Sequence, residues 1–179
     1  MKPRRTLAAI ICASACVSPS WSAPVALTLD GTWFDFAVGD VGDVWRSPLD
    51  GNAITFTLTS ASAFTLRVVD VGFAGDRVEV VSGGTTVLGS TSSVPVDALV
   101  FALTPDDAFA DPTIWSQGSW LLSAGTYSFT GSATVSPFGG GAWAISALAD
   151  GTPTIPEPGT WGLVLGSLAL LAATARRRR

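Results

Sequence analysis

Short runs in which apolar and polar positions alternate recur along the middle of the chain. Ile54, Phe56 and Leu58 share one face with Thr55 and Thr57 on the other, and Phe64, Leu66 and Val68 alternate with Thr65 and Arg67. Val78 and Val80 alternate with Arg77 and Glu79, Tyr127 and Phe129 with Ser128 and Thr130, and Trp143, Ile145 and Ala147 complete the series. Glycines at 72, 75, 83, 84, 89, 125 and 139–141 punctuate these runs. A period of two between glycine-rich turns predicts an all-β fold, an antiparallel β-sandwich. No stretch of this body holds a helical period over ten residues. Thr104-Pro105-Asp106-Asp107-Ala108-Phe109-Ala110 predicts a single helical turn, with Thr104 as its cap and Pro105 at its first position.

The two ends follow different rules. Lys2, Arg4 and Arg5 precede a short apolar core from Leu7 to Cys16 and then small residues, the layout of a secretory signal peptide over residues 1–22, with Ser20 or Ser22 as the last residue before the cut. Ala13-Ser14-Ala15-Cys16 also reads as a lipoprotein box, in which Cys16 would be acylated. At the other end, Pro156-Glu157-Pro158 precedes an uncharged apolar run from Gly159 to Ala175 and then Arg176-Arg177-Arg178-Arg179. As a helix the run reaches about 26 Å, a little short of a hydrocarbon core of roughly 30 Å. Arginine snorkelling and local thinning absorb that difference. The four arginines stop transfer and hold the C-terminus on the cytoplasmic side. The prolines keep the junction around Glu157 extended. The chain thus divides into a signal peptide (1–22), a β-sandwich domain (24–152) and a C-terminal signal (153–179) made of a linker to residue 158, a membrane helix over 159–175 and a basic tail.

This Pro-Glu-Pro, apolar, polybasic order resembles the PEP-CTERM sorting signal of Gram-negative bacteria. The resemblance implies export through the secretion translocon and recognition of Pro156, Glu157 and Pro158 by the membrane-embedded processing enzyme exosortase. It further implies a transient inner-membrane anchor with Arg176, Arg177, Arg178 and Arg179 as its stop, and a final place at the cell surface or in the extracellular matrix. In the body, Phe56-Thr57-Leu58-Thr59-Ser60-Ala61, Val69-Asp70, Gly75-Asp76-Arg77-Val78-Glu79-Val80 and Leu122-Ser123-Ala124-Gly125-Thr126-Tyr127 resemble the jelly-roll-like sandwich of PEP-CTERM exported proteins, which is loosely similar to the bacterial pre-peptidase C-terminal domain. That likeness implies a fold and brings no catalytic residues.

Composition narrows the chemistry. The chain has no histidine, Lys2 is its only lysine, and Cys12 and Cys16 both lie in the signal peptide. Ser-His-Asp, Cys-His and Ser-Lys arrangements and ordinary zinc sites therefore lack a member, and the body has no disulfide. Its charge is strongly acidic: all 14 Asp and Glu fall between Asp30 and Glu157, against Arg46, Arg67 and Arg77. Nucleic-acid binding, which needs a basic footprint, is excluded. Asp30, Asp35, Asp40 and Asp43 crowd one segment and Asp106, Asp107 and Asp111 another, offering the hard oxygens that calcium takes, although neither has the spacing of an EF-hand. Turn aspartates that only face water are the competing reading. No other cofactor is implied. Trp33, Trp45, Trp115, Trp120 and Trp143 are expected mostly in the core, with one or two free to stack on sugar rings. Two functions then compete. One is a non-enzymatic surface or matrix protein associated with exopolysaccharide in a biofilm. The other is a secreted hydrolase of that polysaccharide using carboxylates such as Glu79, or Asp40 with Asp43, as acid and base.

Overall fold

The computed structural model describes residues 22–102 and 104–150. The expected signal-peptide helix and the expected C-terminal membrane helix lie outside them. Among the described residues no helix is long and apolar enough to cross a membrane.

The elements run β1 (Val25–Ala26), β2 (Phe34–Val38), β3 (Phe56–Ser60), β4 (Phe64–Asp70), β5 (Phe73–Ala74), β6 (Arg77–Ser82), β7 (Thr86–Ser90), β8 (Asp97–Phe101), α1 (Pro105–Ala110), β9 (Gln117–Leu122), β10 (Gly125–Val135) and β11 (Gly141–Ala149). The alternating runs of the sequence become β3, β4, β6, β10 and β11. The expected helical turn is α1, capped by the Thr104 hydroxyl, which accepts from Asp107 N at 3.1 Å. Two sheets face each other: a five-stranded one in the order β1-β3-β10-β6-β7 and a four-stranded one in the order β2-β11-β4-β9, with β5 and β8 forming a separate two-stranded ribbon. One pairing departs from the antiparallel expectation. β1 runs parallel to β3, because the chain enters the sandwich along β3 in the same direction, with Val25 N donating to Thr55 O and Leu27 N to Thr57 O.

Each period-two run turns its apolar face inward. Phe36, Phe56, Phe64, Leu66, Val68, Val78, Val80, Phe129, Trp143 and Ile145 fill the space between the sheets. Burying such side chains is the main source of stability in a domain with no disulfide, at about 1.5–3 kcal/mol each. Phe36 stacks on Trp45 with ring centroids 4.3 Å apart, and the Trp45 ring lies against Gly131 of β10. A Cβ at Gly131 would collide with Glu79 O and come within 2.6 Å of the indole, so only glycine fits there. In the three-residue loop of the hairpin between β6 and β7, Gly83 and Gly84 both have positive φ (62° and 75°), as the two central positions of a primed turn require, and Thr85 N donates to Ser82 O at 3.4 Å.

The four-stranded sheet is covered on its outer face as well. Val69 of β4 pairs with Ala144 of β11, and both pack with Ala108 of α1 and with Trp115 in a second buried cluster. This covering explains why Val68 and Val69, adjacent and therefore on opposite faces, are both buried.

Candidate functional site

The sequence-selected aspartates do not gather into one site, and each has its own local partner or setting. Asp30 accepts from the Thr28 hydroxyl at 2.6 Å and from Thr32 N at 3.0 Å, and these bonds hold its carboxyl down at about 2. Asp35 projects from β2 into solvent. Asp40 and Asp43 sit on one turn closed by Asp43 N donating to Asp40 O at 2.9 Å, and the Asp43 carboxylate lies 3.9 Å from Arg46. Asp106 accepts from Trp33 Nε1, Asp107 from the Thr104 hydroxyl, and Asp111 from the Thr113 hydroxyl and amide. The Thr113 bonds lower the Asp111 pKa. Among the described residues no three acidic, histidine or cysteine side chains converge to hold a metal.

A different carboxylate pair is buried. Asp70 and Asp76 are both wholly shielded from solvent. The period of two that turns Leu66 and Val68 inward also turns Asp70 inward at the end of β4, and the parity of Val78 and Val80 does the same for Asp76 just before β6. Asp70 Oδ1 accepts from Gly72 N at 3.1 Å. Asp76 lies against Gly141 at the start of β11, where a Cβ would strike its Oδ2 and sit 3.2 Å from Trp143 Nε1. Burial pushes Asp70 up to about 8, with the neighbouring Asp76 adding to the rise, and burial alone pushes Asp76 up to about 6. The alternating pattern carried this signal, since both aspartates continue an apolar face by one step.

The tryptophans are largely internal. Trp45, Trp115 and Trp143 are buried, and Trp33 and Trp120 are half-buried. The Trp33 ring packs with the Arg67 guanidinium of β4, 4.6 Å from its centroid, and with Phe109 of α1, at 5.7 Å, on the covered outer face of the four-stranded sheet. A cleft of about 530 Å³ is lined by Ser128, Thr130 and Ser132 of β10 together with Thr55 and Val81, and it has no ionisable side chain. A second, of about 380 Å³, is lined by Asp35, Val71, Phe101 and Pro105. Glu79 projects from β6 between Ser132 of β10 and Ser90 of β7.

Pro156, Glu157, Pro158 and Arg176 to Arg179 lie outside the described residues, and there the sequence itself decides. Residues 154–179 match the PEP-CTERM protein-sorting motif. The chain carries a PEP-CTERM sorting signal. The motif implies export, cell-surface sorting and processing by exosortase. No curated protein matches the chain. Among solved structures the chain is similar to the pre-peptidase C-terminal domain of collagenase from Bacillus anthracis, at 11% identity and a TM-score of 0.40, over 73% of this chain and 97% of that one.

Proposed function

We propose that this is a non-enzymatic protein of the cell surface or extracellular matrix, delivered through the secretion translocon, held briefly in the inner membrane by residues 159–175, and released by exosortase to associate with exopolysaccharide. The observation that carries the reading is the match of residues 154–179 to the sorting motif. Composition supports the non-enzymatic part: without histidine, and with lysine and cysteine confined to the first 16 residues, the body has carboxylates as its only side-chain bases near neutral pH, and no histidine or lysine to activate a serine, threonine or tyrosine hydroxyl. The placement of those carboxylates points the same way. The two clefts described offer one between them, Asp35, whereas carboxylate-dependent glycoside cleavage needs two facing each other across the bond.

The test is the mass of the mature protein recovered from the cell surface. Processing removes the arginine tail, so the mature C-terminus ends before Gly159 or within the apolar run. A surface protein still ending in Arg179 would leave a permanent anchor in place of a sorting signal. Incubating the protein with the polysaccharide of its own matrix tests the rest: retention without release of sugar is expected, and release of reducing ends would establish the hydrolase.

A further inference from the structure

Asp70 Oδ2 and both carboxylate oxygens of Asp76 are buried without a hydrogen-bond partner among the described residues. An ionised carboxylate removed from water is stable only when paired, and two close together oppose each other's charge as well. No arginine answers them. Arg77 turns its Nε to Thr91 O at 3.2 Å, Arg67 is engaged by Ser146 and Trp33, and Arg46 donates to Gly51 O. The other unpartnered group beside Asp76 is Trp143 Nε1, and one indole N–H cannot balance three carboxylate oxygens. Two buried acids with oxygens aimed inward, and no nitrogen or sulfur ligand anywhere in the body, form the donor set of a hard cation.

We propose that Asp70 and Asp76 form a calcium site where the segment between β4 and β6 wraps the start of β11. Asp70 ends β4 in the four-stranded sheet, and Asp76 immediately precedes β6 in the five-stranded sheet, so an ion held by both ties the two sheets together at that end. The segment is already fixed for this purpose. Val71 N donates to Ala142 O at 2.9 Å, and Gly72 N to Asp70 Oδ1. Phe73, from the middle of the segment, meets Phe138 of the loop before β11 edge to face at 5.6 Å. Calcium suits the site better than magnesium, because it accepts irregular sets of carboxylate, main-chain carbonyl and water oxygens, whereas magnesium demands a regular octahedron and keeps its waters. An exported body without disulfides gains a cross-link in this way. The site is separate from the seven aspartates selected by their crowding in sequence and from the sorting signal.

Trp143 makes the site visible. In full-length protein in detergent, stripped with chelator, terbium added as a calcium substitute is expected to give saturable luminescence on tryptophan excitation. Calcium should displace it and an equal concentration of magnesium should not. Asp76→Asn should weaken terbium binding by at least roughly tenfold, since ligand charge sets affinity, while the paired change Asp40→Asn with Asp43→Asn on the exposed turn should leave it unchanged. Calcium should also raise the melting temperature of the native chain and not that of Asp76→Asn. Equal terbium binding by the native and Asp76→Asn proteins would overturn the proposal. Should Asp76→Asn fail to fold, the native protein still decides: equal shifts in melting temperature from calcium, magnesium and sodium at matched ionic strength would mean charge screening and no site.

Discussion

Trp33 Nε1 donates to Asp106 Oδ1 at 2.8 Å, joining the approach to β2 with helix α1 across 73 residues of sequence. The same indole ring lies over Arg67, whose Nε reaches the buried hydroxyl of Ser146 at 3.0 Å. These contacts clasp α1 and its neighbours onto the outer face of the four-stranded sheet.

The clasp is local, and its loss should be local too. Asp106→Ala removes a hydrogen bond to a charged but exposed acceptor and should cost about 1 kcal/mol. Trp33→Ala also removes the ring between Arg67 and Phe109 and should cost about 3 kcal/mol. Denaturant melts give the two values, and hydrogen exchange should show the loss concentrated in the amides of α1 while those of β10 keep their protection.

Gly131→Ala should be far more damaging. The added methyl would meet Glu79 O, which belongs to the β6 backbone, and the ring of Trp45, and neither can move without opening the β10–β6 pairing or the stack of Trp45 on Phe36. A loss above about 3 kcal/mol is expected, at the severe end for a single substitution. Circular dichroism and yield of folded protein measure it; a fold and stability like the native chain's would show that the β10 approach is looser than described.

Stability in chelator should fall as pH rises. Asp70 and Asp76 have folded pKa values of about 8 and about 6, above the ordinary 3.8. Between the ordinary and the raised value the native state holds protons that the unfolded chain has released, so the contribution is complete below 3.8 and is lost as pH passes through about 6 and then about 8. Asp30, Asp50 and Asp111 have lowered values and act with the opposite sign, losing their contribution as pH falls below the ordinary carboxylate range. A melting temperature that peaks in mild acid and declines toward pH 9 is expected. Asp70→Asn together with Asp76→Asn should flatten the decline, and an unflattened decline would assign it to other groups.

Glu157→Ala should leave the body folded and its precursor uncleaved in the membrane, because the carboxylate and the extended Pro-Glu-Pro backbone are read together. Immunoblots of membrane and surface fractions report this. Equal release of the variant would remove Glu157 from the recognition element.

Replacing Arg176 to Arg179 with neutral residues should let the short apolar run slip toward the periplasm, since basic residues fix its cytoplasmic end. A reporter fused after Arg179 should change compartment, and a reporter that stays cytoplasmic would show that the arginines are not the stop.

What the sequence by itself determined is whatever depends on neighbours in the chain. The sorting signal is a linear order of proline, apolar run and arginine, legible without a fold. The strand runs were legible because side chains alternate across a strand, and α1 because Thr104 and Pro105 are adjacent to what they cap. Edge strands were harder: β9, Gln117-Gly118-Ser119-Trp120-Leu121-Leu122, is half-buried and shows no clean alternation. Only the tertiary structure decided which strands pair, since consecutive strands mostly cross between sheets and β3 finds its partner in β10, beyond six intervening strands. It also decided which aspartates matter. The seven crowded in sequence face solvent or bind nearby hydroxyls, amides, an indole or an arginine, whereas Asp70 at the end of β4 and Asp76 just before β6 are both buried, Asp76 against Gly141. Burial is set by what packs on a residue from elsewhere in the chain, so a carboxylate continuing an apolar face is known to be buried only once the opposing sheet is in place.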